Sequence, residues 1–216
     1  MSIAVLVLGE SGTGKTTSLR NLDPTKTLLV QSIKKSLPFK ASGWKIKASL
    51  KADGNIIQTD DATLIEKILR HTSQDVTVID DFQYILANEY MRRTAETGYQ
   101  KFTDIGKSAW SLLKAASELA EHRRVYILSH TSTDDSGHTK IKTIGKMLDE
   151  KITLEGMVTI VLRTMVRDGQ YTFSTQNNGS DTTKSPLNMF ADQFIGNDFA
   201  AVDAAICDYY DLKDVS

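Results

Sequence analysis

Residues Gly9-Glu10-Ser11-Gly12-Thr13-Gly14-Lys15-Thr16 follow the spacing G-x-x-x-x-G-K-[ST] in full, and each fixed position has a chemical reason. Glycines open backbone conformations closed to other residues and let the chain approach an anion closely. Successive N–H groups then point inward at phosphate oxygens, and a following helix adds its positive N-terminal end. A lysine at position 15 bridges β- and γ-phosphates, and the Thr16 hydroxyl ligates magnesium. The stretch from Gly9 through Thr17 is therefore expected to hold ATP with Mg2+.

A second group of residues fits that chemistry. Val76-Thr77-Val78-Ile79 is an apolar run ending in Asp80-Asp81, the pattern of a buried strand that delivers a carboxylate to the magnesium of a bound triphosphate. Asp80 is the expected metal partner, with Thr16. Asp81 either orients the attacking water or caps the next helix. The run Tyr126-Ile127-Leu128-Ser129 ends in His130. A polar residue at such a strand tip senses the γ-phosphate if its strand lies beside the phosphate loop, and is otherwise an exposed histidine opening a loop.

These residues need a scaffold. Ile3 to Leu8 is continuously apolar and ends in glycine, as a central parallel strand does. A short helix is expected from near Lys15 to just before Asp23-Pro24. Strands are expected at Thr27–Val30, Val76–Ile79 and Arg124–Ser129, and helices at Asp60–His71, Tyr84–Arg93 and Tyr99–Glu121. In the last, Phe102, Ile105, Trp110, Leu113 and Leu119 can share one side. Thr131 to Lys140 reads as an exposed loop. Met157–Met165 and Gln170–Thr175 flank Asp168-Gly169, a strong hairpin signal. Asp198–Tyr210 is an amphipathic helix. The sum is an α/β fold, a single domain over 1–216, with a mostly parallel central sheet flanked by helices and a C-terminal antiparallel hairpin.

Bulk properties bound the rest. The chain has 216 residues, 40% hydrophobic and 25% charged, with net charge −1, so charge distribution matters more than total charge. No apolar run approaches the ~20 residues that cross a bilayer. The N-terminus lacks the basic start of a signal peptide. A single cysteine, Cys207, fits a reducing compartment and a cytosolic domain.

The chain resembles phage-encoded RecA-like P-loop ATPases of the Sak type, associated with single-strand annealing. The resemblance rests on Gly9 to Thr16 with Ser18-Leu19-Arg20-Asn21-Leu22, Lys35-Ser36-Leu37-Pro38-Phe39, Val78-Ile79-Asp80-Asp81-Phe82-Gln83-Tyr84 and Ile127-Leu128-Ser129-His130. It continues through Thr143-Ile144-Gly145-Lys146, Thr175-Gln176-Asn177-Asn178-Gly179 and Asp181-Thr182-Thr183-Lys184-Ser185-Pro186. It implies a RecA-like core that assembles on single-stranded DNA, as a ring or filament, and hydrolyses ATP between subunits. It also implies the cytoplasm of an infected bacterial host, and a phage or host single-strand binding protein as a further partner. Lys184 is then the candidate for a cation acting on a neighbour's γ-phosphate, or else a solvated loop lysine. The chain departs from RecA in one respect: Gln31-Ser32-Ile33-Lys34-Lys35 carries no acid where RecA has a water-activating glutamate after the second strand. Asp81 or Glu89 would have to take that role.

Candidate DNA contacts follow from charge. Between Asp23 and Asp53 there is no acid but there are seven lysines, Lys26, Lys34, Lys35, Lys40, Lys45, Lys47 and Lys51, interleaved with Phe39 and Trp44. That is either a single-strand groove or a solvated loop with two core aromatics. RecA-like geometry adds Arg92, Arg93 and Lys101, then Lys140, Lys142 and Lys146. The segment 190–216 holds six aspartates and only Lys213 as a base, either a competitor for a basic surface or the solvated face of the last helix. Two other functions compete with the DNA reading: a nucleotide-gated partner-binding ATPase such as a helicase loader, and a small-molecule kinase. The kinase is weakest, because no arginine-rich lid is present.

Overall fold

The apolar N-terminal run forms β1 (Ile3–Leu8), with every residue after Ile3 buried. In the computed structural model, which describes residues 1–145 and 147–212, the chain then makes a short 3-10 segment (Thr16–Asn21), β2 (Thr27–Gln31), β3 (Ile56–Gln58), α1 (Ala62–His71), β4 (Val76–Asp80), α2 (Phe82–Arg92), α3 (Gln100–Ser117) and β5 (Arg124–Ser129). A small ribbon of β6 (Thr131–Thr133) and β7 (Thr139–Ile141) follows. Then come β8 (Ile160–Arg167), β9 (Gln170–Ser174), β10 (Phe194–Gly196) and α4 (Phe199–Tyr209). Lys146 and Lys213 lie outside the described residues.

Eight strands form one sheet in the order β10-β9-β8-β1-β5-β4-β2-β3. Strands β3, β2, β4, β5, β1 and β8 run parallel, and β9 and β10 extend the sheet antiparallel at one edge. This is the mainly parallel α/β architecture with a terminal hairpin that the sequence predicts. The β-branched run Val76-Thr77-Val78-Ile79 suits a strand covered on both faces, and all of β4 is buried.

Apolar residues on the two faces of the sheet form separate cores. On one face α1, α2 and α3 pack through Ile65, Leu69, Phe82, Leu86, Ile105 and Leu113. On the other, α4 and the 3-10 segment pack through Phe199, Val202, Ile206 and Leu19, with Trp44. Phe199 stacks on Phe173 with centroids 5.3 Å apart. Each fully buried side chain of this size contributes about 1.5–3 kcal/mol, so the sheet is held from both sides. Asp61 caps α1 by accepting from Thr63 N and Leu64 N, and Asp198 caps α4 by accepting from Ala200 N.

Three expectations needed correction, and two short strands went unpredicted. The helix expected from Lys15 is a six-residue 3-10 segment, too short for a substantial axial dipole, so an anion at this loop would be met chiefly by the loop's own N–H groups. The segment read as an exposed loop, Thr131 to Lys140, holds most of the β6–β7 ribbon. The short strands β3 and β10 had no signal of their own: three residues give no period to count. Trp110 does not share the buried face of α3. It is 38% exposed, with Lys114 Nζ 5.0 Å from its ring centroid.

Candidate functional site

Strand register brings the loops after β1, β4 and β5 to one end of the sheet. Leu8 lies opposite Ser129 and Ile79 opposite Ile127, so Gly9, Asp81 and His130 emerge at nearly the same level. Crevices at the carboxyl ends of parallel strands are where α/β sheets bind ligands. Strand β5 separates β1 from β4, so His130 stands on the strand beside the phosphate loop. A cleft of about 620 Å3 opens there, lined among others by Lys15, Thr16, Lys35, Asp81 and His130.

The phosphate loop is tightly built. A methyl at Gly9 would lie 1.9 Å from Thr164 Oγ1, so only glycine fits. Thr13 and Thr164 share a hydrogen bond of 2.6 Å between their hydroxyls, which ties the loop to β8. Gly14 has φ +95°. Ser11, Gly12 and Thr17 also line the cleft, while Glu10 is exposed. Lys15 donates to the carbonyls of Gly9 and Glu10, both at 2.8 Å. Burial lowers its pKa to about 8, with Asp81 and Asp80 pulling the other way. Phosphate oxygens arriving there would replace the two carbonyls and restore the full charge.

Thr16 Oγ1 lies 3.1 Å from both carboxylate oxygens of Asp80. Asp80 is wholly buried, and burial, with neighbouring Asp81, pushes its carboxyl pKa up. Lys35, from the acid-free stretch after β2, reaches the same place. Its Nζ is 3.3 Å from Asp80 Oδ2 and 3.5 Å from Thr16 Oγ1, and it donates to Asp81. Although burial opposes its charge, Asp80 and Asp81 outweigh burial and raise the Lys35 pKa.

One ammonium therefore already contacts both oxygen donors that a cation would use, and the donors are all hard oxygens. Thr16 and Asp80 fit Mg2+. Among the described residues no three His, Cys, Asp or Glu side chains form a metal cage. That suits an ion which keeps waters and takes its other ligands from phosphates. Such an ion neutralises charge that develops on the phosphates during transfer.

Asp81 is left-handed at φ 62° and makes no side-chain cap to α2. Of its two sequence readings, helix capping is thus the one the geometry lacks. The carboxylate turns instead to Lys35, and its Oδ1 lies 3.9 Å from His130 Nε2. A non-glycine residue in this conformation costs about 1–2 kcal/mol, and such outliers cluster at functional sites. His130 is half-buried, and burial followed by Lys15 lowers its pKa, which favours a neutral imidazole.

Other candidates stand elsewhere. Glu89 bonds Arg92 and lines a different hollow, so it is remote from the phosphate loop. Lys184 is exposed, pairs through its backbone with Val161 and does not line the cleft. Arg92 pairs with Asp60 and Glu89, and Arg93 with Glu96 and Asp104. Lys101 is buried and donates to the carbonyls of Arg93 and Glu96. All three are engaged within the chain, and Arg92 keeps 48% of its side chain exposed. Trp44 is buried against Phe39, with centroids 6.5 Å apart, so these aromatics belong to the core. Lys26, Lys34, Lys40, Lys45 and Lys51 are exposed.

Sequence reasoning missed Lys35 as part of the site, together with Thr164, Tyr171 and Asn197. The signal for Lys35 was present in the missing acid of Gln31–Lys35. Thr164 and Tyr171 come from β8 and β9 and Asn197 follows β10, and they offer no motif.

No protein-family model matches the chain, and a search of curated proteins finds no match. Among solved structures it is similar to the genome packaging NTPase B204 from Sulfolobus turreted icosahedral virus 2, in complex with ATP-gammaS. That likeness has a TM-score of 0.41 and 10% identity over 77% of this chain and 76% of that one. It is also similar to the Legionella pneumophila ATPase DotB, with TM-score 0.37 and 11% identity over 80% of this chain, which spans 45% of DotB. Strand order and loop geometry carry the assignment of the fold.

Proposed function

We propose that this chain binds and hydrolyses ATP with Mg2+, and that it uses this activity as an oligomeric recombination protein that binds single-stranded DNA and promotes annealing or strand exchange. The observation that carries the nucleotide reading is the convergence of Lys15, Thr16 and Asp81 at one cleft, with buried Asp80 3.1 Å behind Thr16. Lys15 and the loop N–H groups bind the triphosphate, Thr16 and Asp80 hold the metal, and Asp81 receives the proton of the attacking water once Lys35 has moved aside.

The DNA reading is supported by the exposed lysines of the acid-free stretch and by the resemblance to annealing ATPases, in which Lys184 would serve a neighbour. It predicts oligonucleotide binding that weakens steeply with salt, faster annealing of complementary strands, and ATP turnover stimulated by single-stranded DNA. Absence of DNA binding at low salt would refute it.

One observation favours the helicase-loader reading. The last turn of α2 and the segment that follows it expose Met91 at 65% and Tyr99 at 87% while the cations there are tied to acids and carbonyls, which suits a protein partner better than a phosphate backbone. Nucleotide-dependent capture of another protein, without DNA binding, would establish that reading instead.

A further inference from the structure

We infer that Asn197 and Tyr171 form the nucleobase end of the cleft, the Asn197 amide reading the edge of adenine and the Tyr171 ring covering its face; this rests on the triphosphate reading above. Asn197 is 4% exposed, lines the cleft, and neither its amide nitrogen nor its amide oxygen has a hydrogen-bond partner. Buried polar atoms are nearly always paired, so a doubly orphaned amide at the wall of a ligand cleft points to a partner that arrives with the ligand; both amide atoms are closed off from solvent here, so the base reaches them as the side chains over them shift.

The amide is held in place from outside. Arg20 donates to the Asn197 carbonyl at 2.5 Å, Asn197 N donates to Tyr171 O at 3.3 Å, and the next residue, Asp198, caps α4. A methyl on Gly14 would lie 2.9 Å from Tyr171 Cδ1, 3.2 Å from Asn197 Oδ1 and 3.3 Å from Nδ2. The pair therefore packs against the phosphate loop itself. Lys35, Asp80, Asp81 and His130 form a separate group, joined to the loop where Thr16 meets Asp80 and Lys35. The cleft thus has an end where Lys35, Asp81 and His130 gather and another where the Asn197 amide and the Tyr171 ring stand with Gln170 and Arg20.

Tyr171 is 50% exposed and follows the Asp168-Gly169 turn, where a ring offers a stacking face to any base. Selectivity falls to the amide, with one donor and one acceptor side by side. Adenine presents a matching pair on both edges, its N6 amino group beside N1 or beside N7, and asparagine pairs with the latter in base recognition. Guanine presents such pairs too, O6 beside N1–H and N3 beside the N2 amino group, but with donor and acceptor reversed at positions 6 and 1, so an amide held in one orientation separates the two bases.

The test compares the full-length chain with Asn197→Ala, Asn197→Asp and Tyr171→Ala, titrating each in Mg2+ with ATP, GTP and base-free tripolyphosphate. The wild type should bind ATP at least about tenfold more tightly than GTP or tripolyphosphate. Asn197→Ala and Tyr171→Ala should each lose about tenfold in ATP affinity with tripolyphosphate unchanged. Asn197→Asp, with two acceptors for the guanine N1–H and N2 amino donors, should move the preference toward GTP. Because the amide has no partner to lose, the ligand-free Asn197→Ala protein should melt no lower than wild type, whereas a purely structural asparagine would lower it. Equal wild-type binding of ATP and tripolyphosphate, or equal losses of both ligands in the variants, overturns this inference and leaves the triphosphate site standing. Failure of the wild type to bind either ligand overturns both.

Discussion

At the scale of single residues, the ammonium of Lys35 contacts the carboxylates and the hydroxyl that a divalent cation would need. Two cations cannot share that space, so on the proposed reading Lys35 would have to move for the metal to enter. In Lys35→Met the carboxylates lose their internal counterion. The ligand-free variant should be less stable than wild type, and added Mg2+ should raise its melting temperature more than it raises that of the wild type; equal shifts would contradict the shared seat. Lys15 gives a pH signature. Its pKa of about 8 in the free protein rises when phosphates bind, so the complex holds more protons. Affinity should be level below about pH 8 and fall by up to about tenfold per pH unit above it. Calorimetry in buffers of different ionisation enthalpy should show proton uptake over the same range, and a level affinity to pH 9.5 would exclude Lys15 from the phosphates.

At the scale of elements, the β8–β9 hairpin turns on Asp168 and Gly169, at φ 51° and 75°, as a two-residue turn of this type requires. Replacing both by alanine should cost about 2 kcal/mol or more, read from the urea midpoint; an unchanged midpoint would mean the turn does not set the hairpin. This hairpin, β1 and β4 were legible because each has a motif or an unbroken apolar run, and so was the end of the sheet at which Lys15, Thr16, Asp80, Asp81 and His130 meet. Other parts were not. The 3-10 geometry after Thr16 depends on packing under α4, where Asn21 donates to Asp198 Oδ2 at 2.7 Å across the fold. Tyr171 and Asn197 reach the loop only through the pairing of β9 with β10, which no local period announces. Lys35 looked like one of seven similar lysines, and its role comes from tertiary proximity to two buried acids.

At the scale of the whole molecule, an exposed Lys184 outside its own cleft has meaning for catalysis only if a second subunit brings a cleft to it. Lys184→Ala should then lower turnover without weakening ATP binding, and the deficit should appear only at protein concentrations where the chain self-associates; unchanged turnover would return Lys184 to an ordinary surface residue. No helix among the described residues is long and apolar enough to cross a membrane. Everything else proposed for the assembly depends on the cleft holding a magnesium-bound triphosphate. The most direct test is equilibrium binding of Mg2+ and a slowly hydrolysed ATP analogue to the wild type, Lys15→Ala and Asp80→Asn. The account predicts saturable one-to-one binding by the wild type, loss of at least about a hundredfold in affinity in Lys15→Ala, and loss of the Mg2+ dependence in Asp80→Asn. Binding that persists unchanged in both variants would contradict it.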